Sequence, residues 1–265
     1  MQRQLDINFK INFFTDKFIF QTDSILTVKK GYFFHNGSCL VQDYYPQGTL
    51  LNLVNTLKLS PSLSMADLEP FVTYITIELL HMIHNLHQCQ IIHGDIKPDN
   101  FLLQNIPNIT VSHDKLKVFD KYTKVLKLID YGQAIDMTQF PKGTVFLAKV
   151  DTDGFKCIEM RTDQPWTYQT DLFGVIGTIH VLIFGKYMNV YQSKGKWHAA
   201  SSIHRKWNQR LWKELFDTLL NIPNCEELPN LSALRLKFED YFMRDLVSKY
   251  NQVADSIRTE MLLKS

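Results

Sequence analysis

Apolar and polar positions change period several times along the chain, and each change marks an element. Leu5, Ile7, Phe9, Ile11 and Phe13 alternate with Asp6, Asn8, Lys10 and Asn12, which predicts a half-buried strand. Tyr32-Phe33-Phe34 and Ser38-Cys39-Leu40-Val41-Gln42 flank His35-Asn36-Gly37. They predict a β-hairpin whose turn is Asn36-Gly37, because both residues tolerate positive φ. Leu50–Leu59 reads as a short helix and Ser60-Pro61-Ser62 as a linker. From Asp67 to His87 apolar residues crowd every face (Leu68, Phe71, Tyr74, Ile75, Leu79, Leu80, Ile83, Leu86), the pattern of a largely buried helix. Ile91-Ile92 leads into a short polar loop and Phe101-Leu102-Leu103 leads out of it, so the loop is pinned at both ends into a core. Residues 105–124 read as a loop, Val125–Ile129 as a buried strand, and Gln169–Phe184 as a second strongly apolar helix. Asn208–Leu220 and Leu231–Leu263 are amphipathic helical regions, with Pro223 and Pro229 breaking the chain between them.

Composition changes this picture little. The 265 residues suffice for one large or two small domains, and an apolar fraction of 45% can bury a sizeable core. A formal charge of +2 points to neither nucleic acid nor a membrane surface. Cys39, Cys89, Cys157 and Cys225 form no C-x-x-C pair, which fits a reduced intracellular protein with free thiols. His81, His84 and His87 recur at helical spacing, but no nearby Cys or carboxylate completes a ligand set, so a polar helix edge is expected. The apolar start is broken by charge, too short to span a bilayer, and lacks a cleavage site. There is no internal repeat.

The candidate chemistry sits in the pinned loop, His93-Gly94-Asp95-Ile96-Lys97-Pro98-Asp99-Asn100. A carboxylate, an amine two residues later and an amide three beyond that match the spacing H-R-D-x-K-x-x-N of the protein-kinase catalytic loop. An Asp there can orient a hydroxyl and accept its proton, a Lys can neutralise a phosphoryl group in flight, and an Asn can hold a metal ion. An ordinary surface turn is the competing reading, since Gly-Asp and Lys-Pro-Asp-Asn are common turn chemistry. The strand ending at Ile129 strengthens the first reading, because Asp130-Tyr131-Gly132 follows it where a kinase needs a metal-binding Asp, an aromatic ring and Gly. Tyr131 adds a hydroxyl that needs a partner. Residues 130–159 have the length and place of an activation segment, ending in Cys157-Ile158-Glu159, where only the Glu of A-P-E survives. Glu159 is expected either in a buried ion pair, with Arg235 as leading partner, or simply solvated. Asp171, near the start of the second apolar helix, is expected either to be a simple favourable charge at a helix N-terminus or, in the kinase reading, to bond the backbone of the catalytic loop. Asp43-Tyr44-Tyr45-Pro46-Gln47-Gly48-Thr49-Leu50 is either an ordinary strand-to-helix connection or, in the kinase reading, the interlobe hinge, where backbone groups bind adenine.

The order of elements resembles the mostly helical large lobe of a protein kinase, and more narrowly the Bub family of mitotic-checkpoint serine/threonine kinases. The resemblance covers residues 31–265. It is carried by Asn36-Gly37-Ser38, Gly48-Thr49-Leu50-Leu51-Asn52, Ile91–Phe101, Ile135-Asp136-Met137, Phe140-Pro141-Lys142-Gly143-Thr144 and Asn221-Ile222-Pro223. It implies an α+β, protein-kinase-like fold, with a partial β-containing small lobe over residues 1–43 and the large lobe over 44–265. It implies ATP and Mg as cofactors, Asp95 and Lys97 as catalytic groups, Asn100 and Asp130 as metal and nucleotide ligands, and Asp43 and Tyr45 in nucleotide binding. It further implies protein substrates, histone and checkpoint proteins among them, and work in the nucleus at kinetochores, with no direct contact to nucleic acid or membrane. Asp95, Lys97, Asn100 and Asp130 all survive, which favours the active branch of the family over its decayed sibling.

Two departures stand out. Gly94 replaces the usual Arg, which removes the cation that reads a phosphorylated activation segment. No G-x-G-x-x-G precedes the loop, Lys10 is a poor match for the strand lysine, and no Glu precedes Glu69. Those parts are expected before residue 1. A catalytically inactive, kinase-shaped scaffold for checkpoint partners is therefore the alternative function.

Overall fold

The computed structural model describes residue 24 and residues 28–109, 124–148 and 156–263. The strand expected over residues 5–13, with Lys10, lies outside them. The first described elements are β1 (Lys30–Phe34) and β2 (Gly37–Val41), an antiparallel hairpin in which Phe34 pairs with Gly37. The turn is thus His35-Asn36, one residue earlier than expected. Neither Asn36 nor Gly37 takes positive φ, so the left-handed preference behind the expected turn is not used.

Helix α1 (Leu50–Lys58) carries Leu50, Leu53, Val54 and Leu57 on one buried face, the i, i+3, i+4, i+7 spacing of an amphipathic helix. Its start is fixed by a reciprocal cap. The Thr49 hydroxyl accepts from Asn52 N at 3.3 Å, and the Asn52 side chain accepts from Thr49 N at 2.8 Å. Helix α2 (Glu69–Gln88) follows a 3-10 turn at Met65–Asp67, so Asp67 lies in that turn and not in the helix. Its first residue is buried and ties three elements together. Glu69 Oε1 accepts from Asn208 N (2.9 Å), Trp212 Nε1 (3.0 Å) and Tyr241 Oη (2.9 Å).

Among the described residues the named strands form four short antiparallel pairs, β1–β2 among them. Strands β3 (Ile91–Ile92) and β6 (Ile135–Asp136) pair, as do β4 (Phe101–Leu103) and β5 (Leu126–Leu128). A one-turn helix, α3 (Ile158–Arg161), precedes α4 (Gln169–Phe184), which is buried over nearly its whole length and ends at Gly185 with φ +65°. Strands β7 (Val190–Ser193) and β8 (Lys196–Ala199) form a hairpin that the sequence pattern did not reveal. Its turn residues Lys194 and Gly195 both take positive φ. Helices α5 (Gln209–Leu220), α6 (Leu231–Tyr241) and α7 (Val247–Leu262) complete the fold, with a π turn at Phe242–Leu246 dividing the last two. Helices α2 and α4 form the axis of the core: α2 packs against α4, α6 and α7, and α4 also against α5. The loop between β3 and β4 meets this axis where Ile96 approaches Gly174 of α4.

Candidate active site

The polar loop between β3 and β4 is suspended from a buried carboxylate on α4. Asp171, fully buried, accepts the N–H of His93 on Oδ2 and that of Gly94 on Oδ1, each at 2.8 Å. His87 Nε2, from α2, lies 2.9 Å from the same Oδ2. A buried carboxylate persists only when such donors replace water, so Asp171 clamps the loop to the core as expected.

Gly94 has φ +79°, and a Cβ on it would lie 2.9 Å from the carbonyl oxygen of Gln133. The missing Arg is thus a backbone requirement as well as a missing charge. His93 is fully buried and its pKa is lowered chiefly by that burial. Its ring fixes its own tautomer: Nδ1 accepts from Asp95 N (3.3 Å), so Nε2 carries the proton and donates to the Ile129 carbonyl (2.9 Å). The Tyr131 ring packs edge-on against it at 4.9 Å. The Tyr131 hydroxyl, buried so that its pKa is raised, finds no hydrogen-bond partner among the described residues.

Asp95, Lys97 and Asn100 are in direct contact. Lys97 Nζ lies 2.7 Å from Asp95 Oδ2, and Asn100 Nδ2 donates to the same oxygen at 2.9 Å and to the Asp95 carbonyl at 2.8 Å. Oδ1 of Asp95 takes no hydrogen bond among the described residues and can receive a proton from a hydroxyl. Asp130 is joined to this group through backbone. Ile129 N donates to Asn100 O (3.0 Å), and β4, which starts just after Asn100, is paired throughout with β5, which ends two residues before Asp130. Asp130 itself is exposed in a left-handed conformation (φ +62°, ψ +68°), and its Oδ1 accepts from Gly132 N at 3.3 Å. A Cβ on Gly132 would sit 3.1 Å from that oxygen.

The donor set fits a hard divalent cation. Asn100 spends its amide N–H group on Asp95, leaving Oδ1 with no partner among the described residues, and Asp130 keeps Oδ2 open. One carboxylate and one amide oxygen are few ligands, which suits Mg²⁺, because it commonly retains waters and substrate phosphate oxygens. Among the described residues no three His, Cys, Asp or Glu side chains gather as a metal site.

The hinge segment is attached to the same strands. Gly48 O accepts from Leu103 N at 2.9 Å, Thr49 bridges to Leu102, and Lys127 Nζ sits 5.7 Å from the Tyr45 ring. Tyr45 is thereby placed beside β4 and β5. Asp43 instead pairs with Lys29. The proposed Glu159–Arg235 pair does not form. Arg235 lies on α6 against α2, donating to His81 Nδ1 at 2.6 Å and lying 3.3 Å from Glu239. Glu159 is half-buried with no cation in ion-pair reach among the described residues, and burial raises its pKa.

Two residues important to the site were missed by sequence reasoning. Gly174, on α4, would place a Cβ 2.4 Å from the Ile96 carbonyl oxygen, so its absence of side chain lets the helix pass under the loop. Its signal was a glycine inside a strongly apolar helix. Glu78, on α2, accepts from the backbone of the strand leading to Asp130. Its signal was a lone acid in an apolar run.

The sequence matches the protein kinase domain family over residues 18–259. It is 40% identical over 231 residues to the mitotic checkpoint serine/threonine-protein kinase BUB1 of Mus musculus, covering 87% of this chain and 20% of that protein. It is 35% identical over 244 residues to the BUB1 of Arabidopsis thaliana, covering 88% of this chain and 46% of that one. The chain therefore spans a fifth to just under half the length of these relatives. The crystal structure of the BubR1 kinase domain superposes with a TM-score of 0.79 at 32% identity, covering 94% of this chain and 73% of that one. Among the described residues no helix is long and apolar enough to cross a membrane.

Proposed function

Because the chain belongs to the protein kinase family and is of the Bub1 checkpoint type, we propose that it transfers the γ-phosphoryl group of ATP to Ser or Thr hydroxyls of proteins at mitotic kinetochores in the nucleus. Residues 44–265 serve as the large lobe and residues 1–43 as part of the small one. Histone and checkpoint proteins are the proposed substrates, by analogy with the checkpoint kinases whose names the relatives carry.

The observation that carries the reading is the contact of Asp95, Lys97 and Asn100 on a loop clamped by Asp171. In this reading Asp95 Oδ1 orients the substrate hydroxyl and takes its proton. Lys97 leaves its contact with Asp95 Oδ2 in part to balance charge developing on the transferred group. Asn100 Oδ1 and Asp130 hold Mg²⁺, which when bound neutralises phosphate charge and orients the leaving group. Asp43 and Tyr45 line the nucleotide site through the hinge backbone. Transfer depends on positioning and charge stabilisation, and the clamp of Asp171 supplies the rigidity both require.

The test is transfer to histone by the natural full-length protein, wild type against Asp130→Asn. The variant should lose at least about a hundredfold in rate while its circular dichroism and Tm stay unchanged, because Asp130 is exposed. Activity surviving in Asp130→Asn would sink the assignment of the metal ligand. An inactive wild type would favour the kinase-shaped scaffold.

A further inference from the structure

Glu78 is an acid on the apolar helix α2, 5% exposed, with no part in the chemistry above. Both of its oxygens are engaged. Oε2 accepts from Val125 N at 3.1 Å and Oε1 from Leu126 N at 2.9 Å. These are the residues that open β5, the strand that ends two residues before Asp130 and pairs with the strand leaving Asn100. In a strand only three residues long, two side-chain bonds are a large share of what sets its position. Resting on the kinase reading, we propose that Glu78 is a positioning residue for Asp130: its ionised carboxylate holds the strand that delivers Asp130, and protonation of Glu78 loosens it.

The surroundings make that protonation reachable near neutral pH. Burial pushes the Glu78 pKa up to about 7, against the two N–H bonds and the nearby Lys124, which lower it. The other groups facing this pocket are already committed or neutral. Arg235, from α6, is shared between His81 and Glu239. His81 is held neutral, its pKa pushed down to about 3 by burial and by the cations Lys124 and Arg235. The Tyr250 hydroxyl, from α7, is buried near Glu78 with no hydrogen-bond partner among the described residues, and its pKa is raised. A neutral carboxyl turns one acceptor into a hydroxyl donor, so one of the two strand N–H groups loses its partner.

The pH dependence has a sign that separates positioning from unfolding. A raised carboxyl pKa means that the folded state binds the proton more tightly than the unfolded chain. Glu78 therefore contributes stability that is fully present below its unfolded value and is lost as pH rises through about 7. Strand placement runs the other way, improving as pH rises through the same range. A merely structural Glu78 would leave activity tracking stability.

The experiment has two readouts. In the 265-residue chain, the amide resonances of Val125 and Leu126 are followed by NMR from acid to alkaline pH, in wild type and Glu78→Gln. In the natural full-length protein, kcat for histone phosphorylation is measured over the same range. Both amides should titrate together with a midpoint near 7 in the wild type and stay flat in Glu78→Gln. Wild-type kcat should fall as pH drops through that midpoint. The variant should be about tenfold slower at alkaline pH, the loss of one hydrogen bond, and should lack the wild-type acid limb. Amides that do not titrate in the wild type, or a variant that keeps the acid limb, would overturn the proposal. If the wild type transfers no phosphate, the kinase reading fails on its own, and the amide titration still decides whether Glu78 holds the strand.

Discussion

Gly94 donates its N–H to Asp171 from a left-handed backbone, and a Cβ there would press on the Gln133 carbonyl. Charge and shape make different predictions at this position. If the missing Arg were only a missing cation, Gly94→Arg would be tolerated and would let a phosphorylated threonine order the following segment. The geometry says otherwise, because any side chain pays the left-handed penalty of roughly 1–2 kcal/mol and meets Gln133. Gly94→Ala and Gly94→Arg should therefore lower stability in denaturant unfolding by a similar amount, about 2 kcal/mol or more. A Gly94→Arg protein as stable as wild type, with Gly94→Ala destabilised, would show that charge decides. The motif spacing pointed to Asp95, Lys97, Asn100 and Asp130, but not to the tautomer of His93, which depends on the Ile129 carbonyl 36 residues away.

Helix α4 carries two glycines, Gly174 and Gly177, in the same buried stretch, and they do opposite things. A Cβ at Gly174 would approach the Ile96 carbonyl oxygen to 2.4 Å and Ile96 Cβ to 2.6 Å, whereas at Gly177 it would meet nothing within 4 Å. Gly174→Ala must push the helix and the catalytic loop apart, and should cost about 1–3 kcal/mol and reduce transfer sharply. Gly177→Ala should stabilise by up to about 1 kcal/mol, through helix propensity alone, and leave activity unchanged. Chemical denaturation of the two variants, side by side with activity, checks the pair. Equal effects would mean that the loop does not rest on α4 at Gly174. Apolar periodicity made the helix legible in the sequence. It did not say which of two glycines faces the loop, because that depends on where a separate segment crosses.

The described residues bring Asp95, Lys97 and Asn100 into contact, the proposed base, lysine and metal ligand, and the 265 residues contain no G-x-G-x-x-G to cover nucleotide phosphates. Binding to the folded state raises stability by RT ln(1 + [L]/Kd). Without that cover, the 265-residue chain should show little or no Tm shift with Mg-ATP and no measurable turnover. Differential scanning fluorimetry with and without magnesium measures this directly. A clear magnesium-dependent shift, lost in Asp130→Asn, would mean that residues 1–30 complete a working nucleotide site.

Local spacing by itself determined the polar loop that brings Asp95, Lys97 and Asn100 together, the Asp-Tyr-Gly turn and the principal helices, because their signals lie within a few residues of one another. The role of Asp171 was also legible, through a resemblance that supplied the missing long-range contact. Other features were decided only when the chain folded on itself. The hairpin turn moved to His35-Asn36, since register is set by pairing across both strands and not by turn preference alone. Arg235 went to His81 and not Glu159, because the packing of α6 on α2 fixes where its side chain can reach. Glu78 came to hold the strand of Asp130 for the same reason. A buried polar group takes whichever partner the packing brings, and its neighbours in sequence do not reveal that partner.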